Sequence, residues 1–310
     1  MSDRKILILA GPTAVGKTEY SIELAKKING EIVSADSMQL YKYMDIGSAK
    51  PTAGERAAAV HYMVDEIDPR ESFSVYSYQK MAKKCIEEIF AKGKIPIVSG
   101  GTGLYINSLI YEMDFSAGPD NDEYRRHLVE ISEREGTSAL HDMLQKADPE
   151  AALRIHPNNV KKVIRALEML SLGQERVREF KESFVKTSDY DYCLIGLCRN
   201  REELYDRINR RVDILIDMGL LDEIRMLEKM GLTEENISMK GIGYKELFGY
   251  LRGEYDLEEA VRLIKRNTRH YAKRQMTWLR RYEDIKWINL SEYFSADAAV
   301  NDILEYWRCV

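Results

Sequence analysis

The run Lys5-Ile6-Leu7-Ile8-Leu9-Ala10-Gly11-Pro12-Thr13-Ala14-Val15-Gly16-Lys17-Thr18 decides how the chain reads. Residues 5 to 10 are a short strand signal, the next eight form a complete GxxxxGK[ST] pattern, and a helix signal runs from about Lys17 to Asn29. Strand, glycine-rich turn and helix in that order are the setting in which the pattern holds phosphate. Backbone N–H groups close around the anion, the helix N-terminus adds positive potential, and Lys17 adds a point charge. The Thr18 hydroxyl can hold Mg²⁺. Gly11, Pro12, Thr13, Ala14, Val15, Gly16, Lys17 and Thr18 are therefore the candidate diphosphate-binding residues. Nucleoside triphosphates such as ATP are the usual guests, but the geometry selects a pyrophosphate unit and nothing finer.

Outward from this run, strand and helix signals alternate. Strands are expected at 31–36, 61–67 and 94–99, with a helix at about 74–92. This alternation predicts an α/β fold: a P-loop NTPase-like core with a central parallel sheet flanked by helices. From about Asp114 to Asp191 the texture turns charged and helix-periodic, which predicts an inserted all-helical domain. Strand character returns at 192–198 and helices are expected from there to the end. The core thus spans 1–113 and 192–310, and the insertion 114–191.

With 310 residues the chain is long for one domain, and 45% hydrophobic with 31% charged residues is ordinary globular composition. There is no apolar run of membrane-spanning length and no leader signal, so the expectation is a cytoplasmic protein without membrane contact. Cys85, Cys193, Cys198 and Cys309 are scattered without metal-site spacing and read as reduced thiols. Nothing calls for an obligate protein partner, and a monomer is expected. The formal charge of −5 argues against nucleic acid until it is divided. Residues 262–281 hold eight Lys or Arg and no acid, so this segment carries +8 and the other 290 residues −13. At 100° per residue Arg262, Lys265, Arg266, Arg269, Lys273 and Arg280 share one stripe, opposite Ile264, Tyr271 and Trp278. A single-sign face points to a phosphate-rich partner, polyphosphate or RNA.

Ligands of open α/β sheets bind outside the carboxyl ends of the strands. Asp36, just past the second strand, should therefore face whatever the phosphate loop holds, as a metal ligand through water, a proton acceptor, or simply a turn aspartate. Gly100-Gly101-Thr102-Gly103 forms a second crest with one polar side chain, Thr102. In the insertion, Asn158 or Asn159 should cap a helix that turns Val160, Val163, Ile164 and Leu167 to a core and Lys161, Lys162 and Arg165 elsewhere.

Taken together, GPTAVGKT at 11–18, SADSMQLY at 34–41, Ala49-Lys50-Pro51, GGTGLY at 100–105, His156-Pro157-Asn158, GIGYKE at 241–246 and KRQMTW at 273–278 resemble the tRNA dimethylallyltransferase (tRNA isopentenyltransferase) family. The resemblance runs from residue 5 to about residue 280. It implies transfer of a dimethylallyl group from dimethylallyl diphosphate to N6 of adenosine 37, beside the anticodon of tRNA. It further implies that Mg²⁺ sits on Thr18, and that Asp36, Thr102 and Lys17 are catalytic, with Asp36 the general base. The anticodon stem-loop would touch Asp36, Ser37, Met38, Gln39, Thr102, Arg125, Lys161, Lys162, Val163, Ile164 and Arg165. Arg266, Arg269, Lys273, Arg274 and Gln275 are further candidates for phosphate or tRNA contact. The rivals are an isopentenyltransferase acting on free adenine nucleotide, a small-molecule kinase, and a nucleotide-gated RNA-binding protein.

Overall fold

The structure is a computed structural model and describes residues 4–113, 122–173, 176–177 and 185–310. The chain divides into two units, Met1–Ile110 with Ser188–Val310, and Tyr111–Thr187. The junctions fall a few residues from the expected 113/114 and 191/192. Tyr111 bridges Lys186, and the Glu112 N–H donates to Val185 O at 2.8 Å, so the two chain ends of the insertion already pair with each other there.

The first unit is built on six strands, β1 (Lys5–Ala10), β2 (Gly30–Ala35), β3 (His61–Tyr62), β4 (Ile95–Gly100), β5 (Asp191–Cys198) and β6 (Lys286–Asn289). They form one parallel sheet in the order β3-β2-β4-β1-β5-β6. Helices α1 (Lys17–Ile28), α2 (Ala53–Ala58), α3 (Val75–Ala91) and α4 (Gly103–Ile110) precede the insertion. The insertion contributes α5 (Asp122–Glu135), α6 (Thr137–Ala147), α7 (Pro149–Arg154) and α8 (Val160–Ser171). After it come α9 (Arg201–Asp217), α10 (Leu220–Lys229), α11 (Tyr244–Leu251), α12 (Leu257–Leu279) and α13 (Ala296–Cys309).

β1 reads as a continuous apolar run because both of its faces are covered, as parallel sheets require. Leu7 and Leu9 share a core cluster with Ile97 and Ile195 of neighbouring strands, Leu24 of α1 and Ile303 of α13. Two sequence expectations need correction. The strand expected over 61–67 contracts to two residues, because Met63 and Asp65 both take a φ of 61° and break the ladder. The run expected to be helical to the end contains β6, whose four residues pair with Ile195–Cys198. So short a segment carries no period of its own, and its neighbour β5 supplies the reason for its conformation.

In the second unit Leu128, Leu140, Leu144, Ala151, Val163, Ile164 and Leu167 form the core. Asp148 opens α7 by accepting the Ala151 N–H at 2.9 Å, with Pro149 in the first turn. Asn159 stands at the cap position of α8, but its side chain makes no capping hydrogen bond.

Leu9 is fully buried in the central region of the sheet, whereas Leu153 is 86% exposed. Leu9→Ala is expected to cost about 2–5 kcal/mol of unfolding free energy. Leu153→Ala should stay within about 0.5 kcal/mol, and urea unfolding of both variants checks the contrast.

Candidate active site

The site begins with strand register. Ala10 of β1 and Ala35 of β2 both align with Gly100 of β4. Adjacent strands lie about 4.8 Å apart, so the segments leaving these three strands emerge side by side. The Gly11 N–H donates to Gly100 O at 3.3 Å and the Thr102 N–H to Ala35 O at 3.2 Å. The Ser37 N–H then donates to Thr102 Oγ1 at 3.2 Å. The phosphate-loop pattern, Asp36 and Thr102, far apart in sequence, thus meet at the carboxyl end of the sheet.

The loop itself turns through Ala14 (φ 62°) and Gly16 (φ 116°). The second value is one that only glycine adopts without strain. Gly16 has no side chain with which to cap α1, so the first N–H groups of the helix remain directed into the loop. Lys17 Nζ donates to the carbonyls of Gly11 at 3.1 Å and Pro12 at 2.9 Å. Two arginines hold the carbonyl side of the turn: Arg207 Nε donates to Ala14 O at 2.9 Å and Arg199 Nε to Val15 O at 3.0 Å. The expectation that every residue from Gly11 to Thr18 serves an anion needs narrowing. Pro12 has no N–H, and the Thr13 N–H already donates to Gln275 Oε1 at 2.9 Å. The loop N–H groups left for an anion are those of Ala14, Gly16, Lys17 and Thr18.

Charge is concentrated here. Burial pulls the Lys17 ammonium down to about 8, against the field of Asp36 and with help from Arg211. Burial also lowers Arg211, and Asp36 again opposes the shift. Among the described residues the Arg211 guanidinium has no hydrogen-bond or ion-pair partner. Asp36 Oδ1 accepts the Met38 N–H at 2.9 Å, so the aspartate does shape its own turn. It also lies close enough to the phenols of Tyr105 and Tyr271 for its charge to add to the upward shift that burial gives them, which brings Tyr271 to about 12. Lys17, Arg211, Asp36 and the phenols of Tyr105 and Tyr271 therefore act on one another electrostatically.

Several expected contacts have other employment. Gln275 is only 5% exposed, and besides holding Thr13 it donates from Nε2 to Gly101 O at 3.0 Å. It straps the two glycine-rich crests together and is not offered to a ligand. Both ends of the Gln39 amide are likewise engaged, with Ser34 Oγ at 2.9 Å and Ala49 O at 3.2 Å. The stripe of α12 is not of a single sign once its neighbours are included. Arg262 pairs with Glu259, Lys265 with Asp213 at 2.6 Å, and Arg269 donates to Asn209 Oδ1 at 2.5 Å, while Arg266 reaches Asn267. Lys273 and Arg274 stay exposed, Arg274 with its guanidinium 5.7 Å from the Tyr271 ring centroid.

In the helical unit Val163 and Ile164 turn their side chains into the core, as the periodicity predicts, so they offer tRNA no side-chain contact. Arg125 makes two hydrogen bonds to the buried Glu168, at 2.5 and 2.8 Å, and Arg165 stands 3.5 Å from the same carboxylate. Lys161 and Lys162 are exposed. Arg199, Arg207 and Arg211 escaped the reading of the sequence. Their signal is positional: Arg199 follows the carboxyl end of β5, the other neighbour of β1, and Arg207 and Arg211 lie one turn apart on α9.

Comparison with known proteins adds four findings. The family model described as IPP transferase matches residues 39–282. A tRNA dimethylallyltransferase of Alkaliphilus oremlandii is 51% identical over 305 residues, 98% of this chain and 97% of its own. Among solved structures, the full-length tRNA isopentenylpyrophosphate transferase of Bacillus halodurans is 43% identical with a TM-score of 0.75, covering 99% of this chain and 96% of its own. A eukaryotic dimethylallyltransferase acting on tRNA is 30% identical with a TM-score of 0.84, over 97% of this chain and 80% of its own.

Lys17, half-buried and with its pKa pulled down to about 8, gives the loop a pH dependence. An anion is bound best by the charged ammonium, so affinity for inorganic pyrophosphate should be lost as pH rises through about 8. Calorimetric titration between roughly pH 6.5 and 9.5 is expected to show an inflection that Lys17→Met abolishes. An identical pH profile in both proteins would mean that Lys17 does not contribute charge to binding.

Proposed function

The chain belongs to the IPP transferase family, and from that membership we propose that it transfers the dimethylallyl group of dimethylallyl diphosphate to N6 of adenosine 37 in tRNA. The observation that carries this reading is the common carboxyl end at Ala10, Gly100 and Ala35, which sets a cationic cradle beside a carboxylate. In the cradle Lys17, Arg211 and the N–H groups opening α1 hold the diphosphate, where negative charge grows as the C1–O bond breaks. N6 attacks C1 of the allyl group, the bonding pair of C1–O leaves with the diphosphate, and the N6 proton passes to Asp36. An exocyclic amine is a poor nucleophile until that proton can depart, which is why a carboxylate is wanted there.

Thr102 holds the Ser37 N–H and so keeps the Asp36 turn against the crest. Tyr105 and Tyr271 offer the allyl group an aromatic surface that keeps water away from C1. Adenosine 37 has to leave the stack of the anticodon loop to enter such a pocket.

Mg²⁺ fits the donor set. Among the described residues no cluster of three or more His, Cys, Asp or Glu could hold a metal by itself. Thr18 would hold the ion, with diphosphate oxygens and water as its other ligands, a pattern that suits Mg²⁺. When bound it neutralises charge on the leaving diphosphate.

Lys161 and Lys162 of the helical unit, and Lys273 and Arg274 of α12, are exposed cations suited to tRNA phosphates. The reading includes work in the cytoplasm as a monomer. Among the described residues no helix is long and apolar enough to cross a membrane.

The decisive experiment incubates the protein with Mg²⁺, labelled dimethylallyl diphosphate and unmodified tRNA. Label is expected in tRNA; label in free AMP or ATP instead, or consumption of ATP alone, would overturn the reading. Asp36→Ala is expected to lower turnover by about 10²–10⁴-fold while pyrophosphate still binds. Parallel loss of both would make Asp36 a purely structural turn residue.

A further inference from the structure

The segment from Asp36 to Lys50 joins β2 to α2 without regular structure, yet Leu40, Tyr41, Met44 and Lys50 within it are buried. Tyr43 and Ala49 take left-handed φ values of 65° and 48°, conformations that a side-chain-bearing residue holds only when its surroundings enforce them. The stretch between these two residues is held by a group remote in sequence. The N–H groups of Asp45, Ile46 and Gly47 converge on the carboxylate of Glu223, from α10, at 2.7, 2.7 and 3.0 Å. The hydroxyl of Tyr244 donates to the same carboxylate at 2.7 Å, so four donors meet on one side chain that is 8% exposed. Three successive N–H groups turned to one point form an anion-holding nest, and here the anion belongs to the protein.

Tyr244 belongs to Gly241-Ile242-Gly243-Tyr244-Lys245-Glu246, a motif of the sequence to which the proposed chemistry gives no task. The same motif touches the loop again. A β carbon on Gly241 would lie 2.6 Å from the terminal methyl of Met38, two residues from Asp36. On its far side Glu246 accepts the Gly243 N–H at 2.8 Å and the Asn267 side-chain amide at 2.7 Å. Asn267 lies on α12, the helix that also carries Tyr271 and Gln275. The motif therefore bridges the loop that follows Asp36 and the helix that straps the two crests. Lys50, paired with Asp45 at 2.7 Å and also with Asp65, closes the loop at its other end.

We propose that Glu223, fixed by Tyr244 of the Gly241–Glu246 motif, is a positioning residue for prenyl transfer: it sets the loop that presents Asp36, Ser37 and Met38 to the acceptor base. The inference rests on the function proposed above, with the loop on the acceptor side and the phosphate loop on the donor side. It separates the two substrates. Disturbing Glu223 displaces the acceptor side and leaves the diphosphate cradle, whose loop carbonyls Arg199 and Arg207 hold without any contact to that motif, as it was.

The test uses the full chain with Glu223→Gln, which replaces one acceptor oxygen by a donor facing N–H groups, and Tyr244→Phe, which removes a single hydroxyl. Transfer kinetics are measured against tRNA and against dimethylallyl diphosphate, alongside pyrophosphate affinity and thermal melting. For Glu223→Gln, kcat/KM for tRNA is expected to fall by about 10²-fold, through both a lower kcat and a higher KM for tRNA, with pyrophosphate affinity unchanged. Tyr244→Phe should move the same parameters less, and it carries the test alone if Glu223→Gln does not fold. Kinetics per folded molecule equal to wild type, even with a lower melting temperature, would overturn the inference, as would pyrophosphate affinity falling in step. An inactive wild type would overturn the proposed function together with it, whereas an active wild type with unaltered variants would overturn the inference alone.

Discussion

The alignment of Gly100 with Ala10 on one side and Ala35 on the other is the constraint on which the site depends. A parallel ladder fixes the register of adjacent strands, and a shift of one residue would turn every side chain to the opposite face of the sheet. Because β1, β4 and β2 are buried on both faces, their apolar side chains lock this register, and the chain segments beyond them are delivered together. The chemistry is performed by loops, but their placement is a property of the sheet.

A second layer of support comes from groups that contact no substrate in the proposed reaction. Gln275 ties the Thr13 N–H to the Gly101 carbonyl, and Arg199 and Arg207 hold two loop carbonyls outward so that the opposite edge of the turn presents N–H groups. Glu223 does the same for the segment after Asp36. Each is a charged or amide side chain satisfying backbone groups that a loop cannot satisfy within itself. Irregular segments thereby gain the rigidity that regular elements obtain from their own hydrogen bonds.

The division of charge has a similar logic. The +8 segment within a chain of −5 is a sound pointer to a phosphate-rich partner, yet several of its members are matched by acids or amides on the same or adjacent helices. The cations nearest the proposed chemistry are instead Lys17 and Arg211, and Arg211 lies in a stretch where acids and bases alternate. Burial gives these two their significance, since a charge removed from water acts more strongly on its neighbours.

The phosphate loop, Asp36 and the Thr102 crest were legible in the sequence because each is a local pattern: glycines and a lysine at fixed spacing, or a polar residue just past an apolar strand. The class of fold and the presence of an inserted helical unit were legible for the same reason, since periodicity is local. The pairing of β5 with β1 across the insertion, the short strand β6, the strap made by Gln275 and the convergence of three amides on Glu223 were decided only by tertiary structure. Each depends on residues distant in sequence meeting at hydrogen-bond or van der Waals distance, and a linear pattern contains no term for that encounter.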